Sequence, residues 1–362
     1  MRHCGALSKR QYRHHMNFWP IVAKDMVEKF KHPGDATMTT ENDATTEKWR
    51  TKIDPQQAAA LERNAEIVAS VGGPGETIAE IRTQADAARV IWNEGGPAMV
   101  VQQDLSAPGP FRDVPLRLYK PSDGAHMPVF IYLHGGGFKL GNQLSNDRQM
   151  RELAQSWGGA VISCDYVHAP EHMFPDPVIE VANIVEWLAA NGSDLGLNSD
   201  AMVIGGASAG ASVAFGVAFE MRDRGSDLIK GVVSIYGVVD DAMDTASMRE
   251  LGGGDFILQS AYVGQVYSDY VADADRNDPR AFAAKGDFAG LPPAFIAVAE
   301  LDPIRDDSLT LAERMSAAGH PHRLKIYPGV MHTFFVQSNV IDQGKECIGD
   351  IADFLNETLG AP

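Results

Sequence analysis

The chain has 362 residues, 44% of them hydrophobic and 22% charged, which is enough for a sizeable core in one large domain or two smaller ones. Its net charge of −17 argues against nucleic acid or an anionic membrane surface as the main partner. There is no run of about 18 apolar residues of the kind that spans a membrane, and the three cysteines Cys4, Cys164 and Cys347 lie too far apart to suggest a disulfide framework.

The first 40 residues stand apart. Within residues 1–32, seven Lys/Arg face only Asp25 and Glu28, and no apolar stretch there suits a signal peptide. Residues 1–40 read as a basic, disordered extension, and Met38 is an alternative start. The expected compartment is the cytoplasm. Residues 41–362 read as a single domain.

In chain order, residues 45–98 are polar and helical in pattern, without strands. A series of short apolar, β-branched runs follows: Phe130–Leu133, Ala160–Tyr166, Met202–Gly206, Gly231–Gly237, Ala294–Asp302 and Arg323–Gly329. Their near-continuous apolar character suits strands covered on both faces. Helix-period segments separate them, such as Val178, Val181, Ile184, Val185 and Leu188. Strand alternating with helix predicts an α/β fold with a mostly parallel sheet. Residues 240–285 break this rhythm. With 45–98 they are expected to form a largely helical cap over the carboxyl edge of the sheet.

Four places along this pattern carry chemistry. Gly206-Ala207-Ser208-Ala209-Gly210 has the G-x-S-x-G frame between a strand and a helix. Such a turn pushes a serine out at the sheet edge as a nucleophile, with the Ala209 amide and the helix N-terminus beside developing charge. A structural glycine-rich turn is the other reading of the same residues. A phosphate loop is disfavoured, because no G-x-x-x-x-G-K pattern is present. His134-Gly135-Gly136-Gly137-Phe138 follows a strand, and its three glycines leave backbone amides free to face an oxyanion. His134 itself reads as structural. His332, after the last strand, is the expected base, and Asp302, ending the strand before it, the expected orienting acid; Asp306 and Asp307 are rivals in the next helix's first turn. His320 and His322 form an H-x-H pair with no third metal ligand nearby. Asp165–His172 reads as a structural turn.

These motifs, in this order, resemble the hormone-sensitive lipase group of α/β-hydrolase carboxylesterases. HGGGF at 134–138 matches the group's H-G-G-G. DYVHAPEHMFP at 165–175 is similar to its D-Y-R-L-A-P-E-x-x-F-P, GASAG at 206–210 to G-D-S-A-G, LDPIRDD at 301–307 to D-P-L-R-D-E, and GVMHTF at 329–334 to G-x-x-H-x-F. The resemblance implies an α/β-hydrolase fold with Ser208 as nucleophile, Asp302 as acid and His332 as base. The amides of Gly135, Gly136, Gly137 and Ala209 would form the oxyanion hole. Phe138, Leu140 and the cap aromatics read as pocket walls, with core packing the other reading of each. The resemblance implies no metal and no organic cofactor. The substrate would be a small-molecule ester of small to medium size. An amidase or formamidase with the same triad is the alternative, and a non-catalytic receptor on the same fold a more distant one. No stable membrane insertion is expected, and homo-oligomerisation stays open. The chain departs from the group's pattern at Ala207, which replaces Asp, at Ala211, which replaces Gly, and at Val167-His168, which replace Arg-Leu. The loss of the acid at 207 and the arginine at 167 is expected to be linked through one shared polar network.

Overall fold

The computed structural model describes residues 47–360 apart from Pro74; the basic extension and Cys4 lie outside the described residues. Eight strands form one sheet in the order β1-β2-β4-β3-β5-β6-β7-β8. They are β1 (Val101–Pro108), β2 (Asp113–Lys120), β3 (Met127–Leu133), β4 (Ala160–Cys164), β5 (Leu197–Ala207), β6 (Ile229–Ile235), β7 (Ala294–Leu301) and β8 (His322–Met331). β2 pairs antiparallel with both β1 and β4, and every pairing from β4 to β8 is parallel.

The alternation of side chains along each strand divides the core in two. Val129, Ile131 and Leu133 of β3 enter one apolar cluster while Phe130 and Tyr132 enter the other. Ile296 and Val298 of β7 likewise oppose Phe295, Ala297 and Ala299. The first face is covered by helices Asp176–Asn191, Ala209–Asp223 and Arg305–Ala317, the second by helices Asp147–Trp157 and Asp342–Leu359. A strand buried on both faces has no polar positions to spare, which is why these runs are apolar throughout.

Two of the strands and one helix were not expected. β1 is an antiparallel edge strand with exposed polar residues at Gln102, Gln103 and Asp104, and β2 alternates buried Val114, Leu116 and Leu118 with half-buried Pro115 and Arg117, so neither has the apolar run that marks a central parallel strand. Helix Asp147–Trp157 carries polar residues around a narrow buried stripe of Met150, Leu153, Ala154 and Trp157.

Before β1 come helices α1 (Pro55–Ser70) and α2 (Ile78–Trp92). α2 starts on a reciprocal capping box, with the Thr77 hydroxyl accepting from the Glu80 amide and the Glu80 carboxylate accepting from the Thr77 amide. Residues 240–285 form helices Ala246–Leu251 and Ser260–Val271. The two segments touch each other, the Trp49 indole donating to Glu250 at 2.9 Å and Arg50 meeting Asp255 at 3.1 Å.

Candidate active site

Ser208 sits between β5 and helix Ala209–Asp223 with φ 54° and ψ −119°, a left-handed backbone that costs a non-glycine residue about 1–3 kcal/mol. The turn is tied down on both sides. Its amide donates to Ile235 O at 2.9 Å, and its carbonyl accepts from the amides of Ala211 and Val238. Both flanking glycines are required by space. A Cβ on Gly206 would stand 2.6 Å from Leu133 O, and one on Gly210 would stand 2.7 Å from His134 O. The elbow therefore lies directly against the start of the glycine loop.

His332 follows β8, and its Nε2 lies 2.9 Å from Ser208 Oγ. Its Nδ1 lies 2.7 Å from Asp302 Oδ2, and both side chains are almost fully buried. Asp302 Oδ1 accepts from the Ile304 amide at 3.0 Å, which fixes the carboxylate. With Nδ1–H donating to the carboxylate, Nε2 is left as an acceptor for the serine hydroxyl. Tyr236 packs on the imidazole with ring centroids 4.7 Å apart. The rivals for the acid are elsewhere. Asp306 accepts from the Ser247 amide, and Asp307 accepts from the Tyr267 hydroxyl at 3.0 Å in full burial, which pushes its carboxyl well above the usual range.

The loop from His134 to Leu140 crosses in front of this serine. A Cβ on Gly135 would stand 2.9 Å from Ala207 O, and one on Gly137 would stand 3.1 Å from the Tyr262 hydroxyl and 3.3 Å from Val266. Gly136 and Gly137 have φ of 137° and 60°. Among the described residues, the amides of Gly135, Gly136, Gly137 and Ala209 donate to no acceptor. Phe138 is buried and stacks on Tyr270 with centroids 3.6 Å apart, and Leu140 is buried with its amide donating to Gly136 O.

Sequence reading missed what holds this loop. From α2, Arg82 Nε donates to Lys139 O at 2.8 Å and Arg89 donates to Gly135 O at 3.3 Å. Their spacing of seven residues, which puts both guanidinium groups on one helix face, was the available signal. The end of β8, just before His332, is pinned from the same N-terminal part of the chain. Asp54 N donates to Gly329 O, and Gln57 Oε1 accepts from the Met331 amide at 2.9 Å.

The expected link between positions 167 and 207 is not found. The Val167 amide donates to Glu180, on the helix of the first face, whereas Ala207 packs into the apolar cluster of the second face. Among the described residues the two positions have different partners and no shared polar network. His320 and His322 are engaged structurally, with Leu291 O and Ser316 as their Nε2 partners. In the Asp165–His172 turn, Arg112 contacts Asp165 and Arg82 pairs with Glu171.

A parallel sheet with a strained serine elbow, a carboxyl-edge His–Asp pair and a glycine loop defines the class of α/β hydrolases. A sequence profile of the alpha/beta hydrolase fold family matches residues 130–336, and the chain belongs to that family, within its hormone-sensitive lipase-like carboxylesterase group. Solved structures agree. An esterase from the hyperthermophilic archaeon Pyrobaculum calidifontis is 31% identical over 78% of this chain and 93% of its own, with TM-score 0.74. An ester-hydrolase from the metagenome of Lake Arreo, solved with a bipyridine phosphonate derivative, is 30% identical over 85% of this chain and 99% of its own, with TM-score 0.78. A bacterial heroin esterase is 27% identical over 85% and 98%, with TM-score 0.75. Among the described residues no helix is long and apolar enough to cross a membrane.

Proposed function

We propose that this chain is a serine carboxylesterase acting on small to medium esters through Ser208, His332 and Asp302. The observation that carries the proposal is the continuous hydrogen-bond chain from Ser208 Oγ through His332 to Asp302, set against a loop of unpartnered amides. Ser208 Oγ bonds to the ester carbonyl carbon as its proton passes to His332 Nε2. Asp302 holds the imidazole in the required tautomer and stabilises its positive charge. The oxyanion is held by the amides of the 135–137 loop and of Ala209, an interaction worth about 3–4 kcal/mol per donor elsewhere. His332 then gives its proton to the leaving alcohol as the C–O bond breaks. Water, deprotonated by the same imidazole, attacks the acyl-enzyme carbonyl, and Ser208 leaves with a proton returned from His332.

Residues 45–98 and 240–285 act as the cap. Tyr262 and Val266 stand over Gly137 at contact distance, which limits the depth above the glycine loop and favours a short acyl group. The receptor alternative is disfavoured by His332 in hydrogen-bond reach of the serine. The test is a series of p-nitrophenyl esters of increasing acyl length with matched anilides beside them. Rates highest on short acyl esters are expected. Faster anilide turnover would make the chain an amidase, and failure of a fluorophosphonate to label Ser208 would remove the mechanism.

A further inference from the structure

At the foot of the glycine loop, outside the Ser208 site, one ligand atom from each of His134, Asp165 and His168 lies within 4.8 Å of the others. His134 is fully buried, and its Nε2 stands 3.9 Å from Asp165 Oδ1. The Nε2 atoms of both histidines are buried and, among the described residues, have no hydrogen-bond partner.

The tautomer of His134 follows from its other nitrogen. Nδ1 lies 3.0 Å from Gly135 O, and a carbonyl only accepts, so Nδ1 carries the proton. Nε2 is therefore a bare lone pair, buried and facing a carboxylate oxygen. Two acceptors in that arrangement call for a cation or a bridging donor between them. We propose that His134, Asp165 and His168 form a site for a late first-row divalent cation of zinc-like ligand preference.

Several observations support this. Two imidazoles and one carboxylate suit zinc, cobalt or nickel rather than calcium or magnesium, which want oxygen ligands. The buried, unpartnered Nε2 atoms of both histidines are the atoms that would ligate. Zinc ligands at about 2.0–2.2 Å sit closer together than these, so the three must draw in by up to about 1 Å. Asp165 and His168 can do so, being partly exposed on the loop after β4, and they also give the ion its path from solvent. Arg112, which contacts Asp165 Oδ2 and the Asp165 carbonyl, and Arg82 and Arg89 nearby oppose the added charge, so binding is weaker than at a structural zinc centre. His168 occupies the place of leucine in the D-Y-R-L segment that this chain resembles, so the third ligand is particular to this sequence.

The experiment titrates the full chain with Co²⁺ and then Zn²⁺. One Co²⁺ per chain is expected, with visible ligand-field bands that Zn²⁺ abolishes, and Tm should rise with Zn²⁺ concentration. His168→Leu and Asp165→Asn should each weaken Zn²⁺ binding by at least about tenfold, the upper part of the loss seen when even an outer partner of a ligand is removed being larger still. His322→Ala should leave it unchanged. If His168→Leu does not fold by circular dichroism, Asp165→Asn carries the comparison. Absence of bands and of a Tm shift at millimolar ion means that only water bridges these groups and overturns the proposal, as does full binding in a folded His168→Leu or Asp165→Asn variant.

Discussion

Gly210→Ala isolates the fit between the serine elbow and the glycine loop. The added Cβ would stand 2.7 Å from both His134 O and Leu133 C and would collide with Leu133 O, all of them backbone atoms that cannot rotate away. Ordinary contacts begin near 3.4 Å, so the strand end and the glycine loop must retreat from the elbow by more than half an ångström. Catalytic groups work only when held within about 0.5 Å of their productive geometry, so the proposed oxyanion donors should lose much of their effect. Overpacking costs about 1–3 kcal/mol, and replacing a helical glycine by alanine returns up to about 1 kcal/mol, leaving a net loss of about 0–2 kcal/mol. Losing one oxyanion donor costs about 10²–10³ in kcat, so a fall of about a hundredfold is expected with KM little changed. Gly216→Ala is the comparator. Its Cβ would meet Val178 at 2.7 Å and collide with Arg280 O, far along the same helix from Ser208. It should lose comparable stability but keep kcat within about twofold, as expected of independent sites. Urea melts with kcat and KM on p-nitrophenyl acetate separate the effects. A folded Gly210→Ala enzyme that keeps its kcat, or loses no more than Gly216→Ala, would refute the reasoning.

Ser208→Ala should lower kcat by about 10⁶-fold, as loss of a triad nucleophile does elsewhere, while its thermal melt stays close to that of the parent; esterase assay and calorimetry check this. Asp302→Asn should reduce kcat about 10⁴-fold by favouring the wrong imidazole tautomer, with Ser208 still in place by crystallography. Acid stability should depend on His168, which is held neutral by burial with Arg82, Arg112 and Arg89 around it, down to about 3. Because the unfolded chain binds this proton near pH 6.5 and the folded chain does not, stability is full above about 6.5 and falls as pH drops toward 3. Between pH 7 and pH 5 that amounts to about 2 kcal/mol, which His168→Leu should remove; an equal loss in both proteins by urea melts at the two pH values would contradict it.

The sequence was most legible where one physical demand governs a stretch. The central parallel strands are apolar because both faces are covered, and Gly206 and Gly210 flank Ser208 because no Cβ fits there. Asp302 and His332 could be named because each ends a strand at the carboxyl edge. β1 and β2 were missed because each mixes polar with apolar residues, β1 along its exposed edge and β2 at Arg117 and Lys120. Arg82 and Arg89 were missed for a different reason. Their partners are carbonyls of Lys139 and Gly135, and a backbone acceptor leaves no trace in residue identity. The same holds for Gln57, whose amide oxygen meets a backbone amide 274 positions away. The supposed link between 167 and 207 failed because 167 follows β4 while 207 ends β5, and motif order does not reveal which surroundings each position enters.

The clamp just before His332 has a kinetic consequence. Among the described residues β8 pairs only with β7, at the sheet's outer edge, and its last residues before His332 are held by Asp54 and Gln57 from the start of the described chain. The imidazole is thus secured by contacts that span nearly the whole sequence, the slowest kind to close. During refolding, turnover should appear later than sheet circular dichroism, and its onset marks the moment when residues 54–57 reach β8.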